Sequence, residues 1–281
     1  MKFSICSWTF GNAPIEEVMK FVAKTGYDAI EIRAAVDRYN WTELLQLSKD
    51  LSLEIGGLTG DTGWPNEEQD LANRNPLNRR KAVDYFKRQI EAVKLVEGRY
   101  IVVCPSAVGK TALMGNPGED WKWAMESVHQ LTDLASALDV TLVIEPLNRY
   151  ESCIVNSAED ALRFVQEVNH PKVKTLLDTY HMNIEDQDME APFEKLKDHL
   201  EIIHVADSNR QALGRGHINF EKVVSGIKKS GFNKTIVVEC SAPGANPFQA
   251  DKGPLAMKSI NTYAVESLAY LKRSFEEVVS K

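Results

Sequence analysis

The chain has 281 residues, 43% of them hydrophobic and 26% charged, the balance of a globular protein long enough to bury a large core without staples. A metal in such a chain is expected to serve chemistry rather than folding. The formal net charge of -7 argues against a nucleic-acid partner, because a phosphate-binding surface is built from Lys and Arg. No stretch has the length of a membrane span, and the N-terminus lacks a signal peptide's apolar run. The four cysteines, Cys6, Cys104, Cys153 and Cys240, form no CxxC pair. We therefore expect a cytoplasmic protein without disulfides and without membrane contact.

Short Val- and Ile-rich runs alternate with longer helical patterns along the chain. A strand over 2–7 precedes a helix over 14–25, and a strand over 28–32 precedes a helix over 41–51. The strand 53–58 leads through a polar loop, 59–75, into a helix over 76–96, where Pro76 suits a first turn that needs no amide hydrogen. That loop is long enough to be functional. Strand 100–104 is followed by helix 120–138, and strand 141–145 by helix 157–168. The run Asn156-Ser157-Ala-Glu159-Asp160 offers the latter a cap and an acidic first turn, and Leu162, Val165 and Val168 share a face. Strand 173–178 with helix 190–199, strand 201–206 with helix 219–230, and strand 235–239 with helix 254–277 complete the series. The last strands are nearly continuous apolar runs, as parallel strands covered on both faces require. Eight such units fit a single (β/α)8 TIM barrel over residues 1–281 better than an open doubly wound sheet.

The chemistry lies where the last four strands end. Strand five finishes in Glu145, strand six in Asp178, strand seven carries His204, and strand eight finishes in Glu239. Alone, each acid is a turn former or helix cap, and His204 is a hydrogen-bonded core residue. Four consecutive strands ending this way call for a cation, because buried carboxylates without one repel and resist desolvation. In a barrel all four ends meet at one mouth, the face that carries the active site. Three carboxylates and one imidazole suit one six-coordinate divalent ion with two positions left for substrate oxygens.

Four segments carry a family likeness. They are Ile144-Glu-Pro-Leu-Asn-Arg-Tyr-Glu151, Leu177-Asp-Thr-Tyr-His-Met-Asn-Ile-Glu185, His204-Val-Ala-Asp-Ser-Asn-Arg210 and Val238-Glu239. Together they resemble the tagatose, psicose and ribulose 3-epimerases, the ketose 3-epimerases of the xylose isomerase-like barrel superfamily. The resemblance is strong in the second half of the chain and extends to the first half only as fold. It implies metal ligation by Glu145, Asp178, His204 and Glu239, with Mn2+ expected and Co2+ or Mg2+ as alternatives. It further implies that Glu151, His181 and Arg210 hold the substrate's C1–C3 oxygens, and that Glu145 and Glu239 are the catalytic bases. Relatives of this kind form homodimers or homotetramers.

That implied chemistry is coherent. A hydrogen beside a ketone is too weakly acidic for a free carboxylate, and a divalent cation chelating the carbonyl and the neighbouring hydroxyl stabilises the enediolate. Inversion at C3 of a free ketose then needs a base on each face, and Arg210 can neutralise the developing charge. Aldose–ketose isomerisation of the hydroxypyruvate type, epimerisation of a keto-glycoside, and inosose dehydration are alternatives that use the same ligands. The loop over 6–11 and the loop over 239–248 depart from the family pattern and leave the sugar open.

Other signals are weaker. The segment Cys104-Pro-Ser-Ala-Val-Gly-Lys-Thr111 approaches a phosphate-binding loop but has Cys104 in place of its first glycine. Glu31, at the end of strand two, either orients a ligand or pairs with Arg33. Trp8, Trp64 and Phe248 are packing residues or an aromatic wall at the mouth. His129, His170 and His199, on or beside helices, are surface or packing residues, and His217 shapes a loop or meets substrate rather than metal. A trinuclear endonuclease would need histidines at the ends of strands two to four, where the sequence has none. A nonenzymatic binding protein has no evident need for carboxylates paired on a metal.

Overall fold

The computed structural model describes residues 1–244 and 251–276. Eight parallel strands close into a barrel in chain order: β1 Lys2–Cys6, β2 Ala29–Arg33, β3 Glu54–Thr59, β4 Tyr100–Val103, β5 Thr141–Ile144, β6 Val173–Asp178, β7 Leu200–Val205 and β8 Thr235–Val238. β8 returns to β1, pairing Val238 with Ile5. The (β/α)8 TIM barrel expected from the alternation is the observed fold.

The outer layer comprises α1 Ile15–Thr25, α2 Trp41–Leu51, α3 Pro76–Leu95, α4 Pro117–Leu138, α5 Ala158–Val168, α6 Thr179–Glu185, α7 Ala191–Lys195, α8 Phe220–Ser230 and α9 Gly253–Glu276. Polar side chains start most of them. Asn40, Asn75, Asn116, Ser157 and Asn219 each accept a hydrogen bond from a first-turn amide, and Asn116–Glu119 and Ser157–Asp160 form reciprocal capping boxes. The helix expected over 190–199 is cut to Ala191–Lys195. By residue 199 the backbone already belongs to the sheet, since the His199 carbonyl accepts from Thr175 of β6. α6 was not anticipated. Its first turn is capped by Asp178, whose carboxylate accepts from the Tyr180 amide at 2.7 Å.

Strand periodicity sorts the core into two parts. Side chains at odd steps, among them Ile5, Ile30, Ile101, Ile144 and Ile203, pack outward against Val22, Phe86, Phe164 and other helix residues. Those at even steps fill the barrel: Cys6, Tyr100, Val102, Val143, Leu176, Ile202 and Val237, with Trp8 against them. Two residues further along the same inward register stand Cys104, Glu145, Asp178, His204 and Glu239, so an apolar plug floors a polar layer at the C-terminal mouth.

Candidate active site

The four strand-end residues converge. One donor atom each from Glu145, Asp178, His204 and Glu239 lies within 4.8 Å of the others, and all four residues are buried. The sheet register sets Asp178 beside His204 and His204 beside Val237. His204 Nδ1 lies 3.4 Å from Glu145 Oε1 and 3.5 Å from Glu239 Oε2, yet its geometry makes a hydrogen bond with neither. Asp178 Oδ2 is likewise buried without a hydrogen-bond partner. Two orphaned donor atoms, aimed into a set of three carboxylates and one imidazole, fit a hard or borderline divalent ion.

The local electrostatics favour the same occupant. Burial pushes Glu145 up to about 7, with Glu239 and Asp178 adding to the rise against the opposing pull of His204. Asp178 is also raised, first by burial. Burial alone would lower His204, but Glu31 and Glu239 outweigh it and hold the imidazole well above its ordinary range. Glu239 is raised by burial and lowered more by His204 and Arg210, to about 2. The carboxylates thus draw positive charge to this point. A divalent ion beside Nδ1 would supply that charge and leave the imidazole free to ligate.

Glu145 and Glu239 reach out of this cluster into a cleft of about 410 Å3, whose lining also includes Glu151, His181, Arg210 and Cys104. His181 is fixed by Asn148, whose backbone amide donates to Nδ1 at 3.1 Å. Since that amide can only donate, Nδ1 is the acceptor there, and on the other side of the ring Arg210 Nη1 stands 3.3 Å from Nε2. Burial, and then Arg210, lower His181 to about 3, which keeps the ring neutral. The Asn148 side-chain amide also bonds Glu151 Oε1 at 3.0 Å. Arg210 Nη2 lies 2.7 Å from Glu239 Oε2 and 3.8 Å from Asp178 Oδ2. Its guanidinium carbon stands 4.5 Å from the Tyr180 ring centroid and 5.3 Å from that of Trp8. α6 therefore contributes both His181 and the aromatic face under Arg210.

All seven residues singled out in the sequence gather at this mouth. Three others complete it. Asn148 lies inside the quoted segment after β5 but carries no charge to draw notice, and Cys104 follows Val102 in the inward register, its Sγ 3.6 Å from Glu145 Oε2. Tyr100 reaches Glu31 through the barrel interior. Trp8, Trp64 and Arg33 line the cleft, whereas Phe248 lies outside the described residues. Arg33 pairs with Asp61 at 2.6 Å rather than with Glu31. The lysine of the near-match phosphate loop, Lys110, is buried between Asp70 at 2.8 Å and Asp120 at 3.5 Å, which leaves it unable to meet a phosphate. His129, His170 and His199 are not in the cleft lining, and exposed His217 bonds Ser208 within its own loop. The four cysteines are unpaired, and among the described residues no helix is long and apolar enough to cross a membrane.

Comparison with known proteins agrees with the fold. The family model described as xylose isomerase-like TIM barrel matches residues 19–273. A D-psicose 3-epimerase of Ruminiclostridium cellulolyticum is 31% identical over 225 residues, covering 78% of this chain and 75% of that protein. A 3-dehydro-D-guloside 4-epimerase of Escherichia coli K12 is 28% identical over 264 residues, covering 91% and 98%. The crystal structure of D-psicose 3-epimerase with D-tagatose from Clostridium cellulolyticum H10 superposes with a TM-score of 0.86 at 24% identity, covering 98% of this chain and 99% of that one, which is a likeness of fold. These relatives bear epimerase names, in keeping with the isomerase class expected from the sequence. The chain belongs to the xylose isomerase-like TIM barrel family, alongside ketose 3-epimerases.

Proposed function

We propose that this protein is a metal-dependent sugar epimerase that inverts C3 of a free ketose, with residues 1–281 acting as one barrel domain. The observation that carries the reading is the placement of Glu145 and Glu239. They come from β5 and β8, bracket His204 Nδ1 at 3.4 and 3.5 Å, and both open into the cleft. One carboxylate takes the C3 proton while the bonding electron pair moves toward the C2 carbonyl, giving an enediolate across C2 and C3. The other, protonated, delivers its proton to the opposite face of C3, and the two exchange roles in the reverse direction. Arg210, beside Glu239, offsets charge growing on the substrate oxygens. Neutral His181, fixed by Asn148, meets the same oxygens through Nε2, and Glu151, also held by Asn148, accepts from a hydroxyl. Glu145, Asp178, His204 and Glu239 would hold one divalent ion, Mn2+ first and Co2+ or Mg2+ otherwise, whose bound charge stabilises the enediolate. Unpaired cysteines and the absence of an apolar spanning helix among the described residues support a cytoplasmic setting.

A second reading, epimerisation of a keto-glycoside, is supported by the guloside 4-epimerase relative, which aligns over nearly its whole length. Incubation with Mn2+ in D2O, using ketoses, keto-glycosides and aldoses, separates the readings. Deuterium at C3 of a free ketose, with inversion, is the expected result. Exchange confined to C1 or C2 of an aldose–ketose pair would replace the epimerase by an isomerase, and turnover of glycosides alone would favour the second reading.

A further inference from the structure

We propose that Glu31 is a positioning residue that sets the His204 imidazole for metal binding through Nδ1, an inference that rests on the metal site proposed above. Glu31 stands on β2, across the barrel from β7, and is wholly buried. Its Oε2 lies 3.3 Å from His204 Nε2, while Nδ1 of the same ring points between Glu145 and Glu239. An imidazole offers one lone pair per neutral ring. A carboxylate on Nε2 therefore takes the N–H and leaves Nδ1 as the donor on the other side. Such a carboxylate also fixes the ring's rotation and raises its basicity as a ligand.

The surroundings are built to hold Glu31 there. Tyr100 donates its hydroxyl to the same Oε2 at 2.8 Å. To do so its ring crosses β3 at Gly57, where a Cβ would stand 2.6 Å from the ring carbons. The absence of a side chain at Gly57 thus makes room for Tyr100, Tyr100 anchors Glu31, and Glu31 faces His204. A shift of register between Ile30 and Glu31 against β3 falls at this point. Arg33, the other partner the sequence offers to Glu31, is engaged by Asp61 on the mouth side, and Asp61 also accepts from Tyr85. Glu31 is therefore free of a fixed cation and takes no part in the cleft lining, which separates it from the groups that would touch substrate.

One rival assignment shares these atoms. Donors of Cys6, Glu31 and Glu239 also lie within 4.8 Å of one another and make a second ion conceivable. The test is therefore a binding measurement, with Mn2+ as the probe and competition against a chelator as the readout, on folded full-length protein whose melting temperature is recorded in parallel. Wild type is expected to bind one Mn2+ per chain, and Glu31→Gln to bind it roughly 10–100-fold more weakly. Tyr100→Phe should weaken binding less, and should add little in the Glu31→Gln background, because its hydroxyl acts through Glu31. Unchanged affinity in Glu31→Gln, or additive losses in the double variant, would overturn the positioning role while leaving the metal site in place. So would a second equivalent of Mn2+ in wild type that Glu31→Gln and Cys6→Ser each abolish, since Glu31 would then be a ligand itself. Wild type that binds no Mn2+, Co2+ or Mg2+ overturns the metal site and the inference together.

Discussion

At the scale of single residues, the proposed scheme asks Glu145 and Glu239 to do two things with one carboxylate each: hold charge at the mouth and move a proton at C3. The geometry permits both, because each sends an oxygen toward His204 and also opens into the cleft. Replacing either by Gln keeps the shape and an acceptor oxygen but removes the base. At saturating Mn2+, Glu145→Gln and Glu239→Gln are each expected to lower kcat by about 10²–10⁴-fold. Asp178 supplies the contrast. It belongs to the same donor cluster but is absent from the cleft lining, so Asp178→Asn should lose metal affinity and recover much of its rate when Mn2+ is raised. Steady-state rates across a metal titration decide the matter, and substantial epimerisation by either Gln variant would sink the two-base scheme.

At the scale of elements, the mouth is shaped by loops tied to one another. Asp70, from the loop after β3, accepts from Ala107 and from Lys110 of the loop after β4. Lys110 also faces Asp120 in the first turn of α4, and Asp120 receives the amides of Met114 and Gly115. The neighbouring Gly109 amide donates to the Glu151 carbonyl at 2.8 Å, and Trp64 donates to Val108 at 2.9 Å, so the clamp reaches the cleft wall. Lys110→Met would strand two buried carboxylates and should cost about 3–5 kcal/mol in a urea unfolding experiment. A loss within the range of ordinary surface substitutions would show the clamp to be dispensable. The sequence showed Lys110 only as part of a misleading phosphate-loop likeness, because Asp70, the partner it meets at 2.8 Å, lies 40 residues back in the chain. The strand ends were easier to read. A period of two carries Val143 to Glu145, Leu176 to Asp178, Ile202 to His204 and Val237 to Glu239, and that period is visible without a structure. α6 was hidden for the opposite reason: Asp178 closes a strand and caps a helix at once, and seven residues are too few to show a helical period.

At the scale of the whole molecule, closure of the barrel brings β5, β6, β7 and β8 round to face β2, and this collects four acidic residues and one imidazole in a buried layer above an apolar plug. Alternation along the chain announced the closed barrel, but not that Glu31 would meet His204 across it. Carboxylates gathered in this way oppose desolvation unless a cation joins them, and an ion that binds only the folded chain adds RT ln(1 + [L]/Kd) to its stability, about 4 kcal/mol at a thousandfold excess over Kd. For a chain of this size each kcal/mol moves the melting temperature by roughly 2–4 °C, so stripping the ion should lower it by about 10 °C. Thermal melts of the purified protein, after EDTA and then after Mn2+ is restored, read this directly. Epimerase turnover should vanish and return in step with the melting temperature, because in the proposed scheme the groups that bind the ion are also the groups that move the proton. Turnover that survives EDTA, with a melt that neither EDTA nor Mn2+ shifts, would mean that Arg210 and protonated His204 alone balance the carboxylates, and the metal reading would have to be given up.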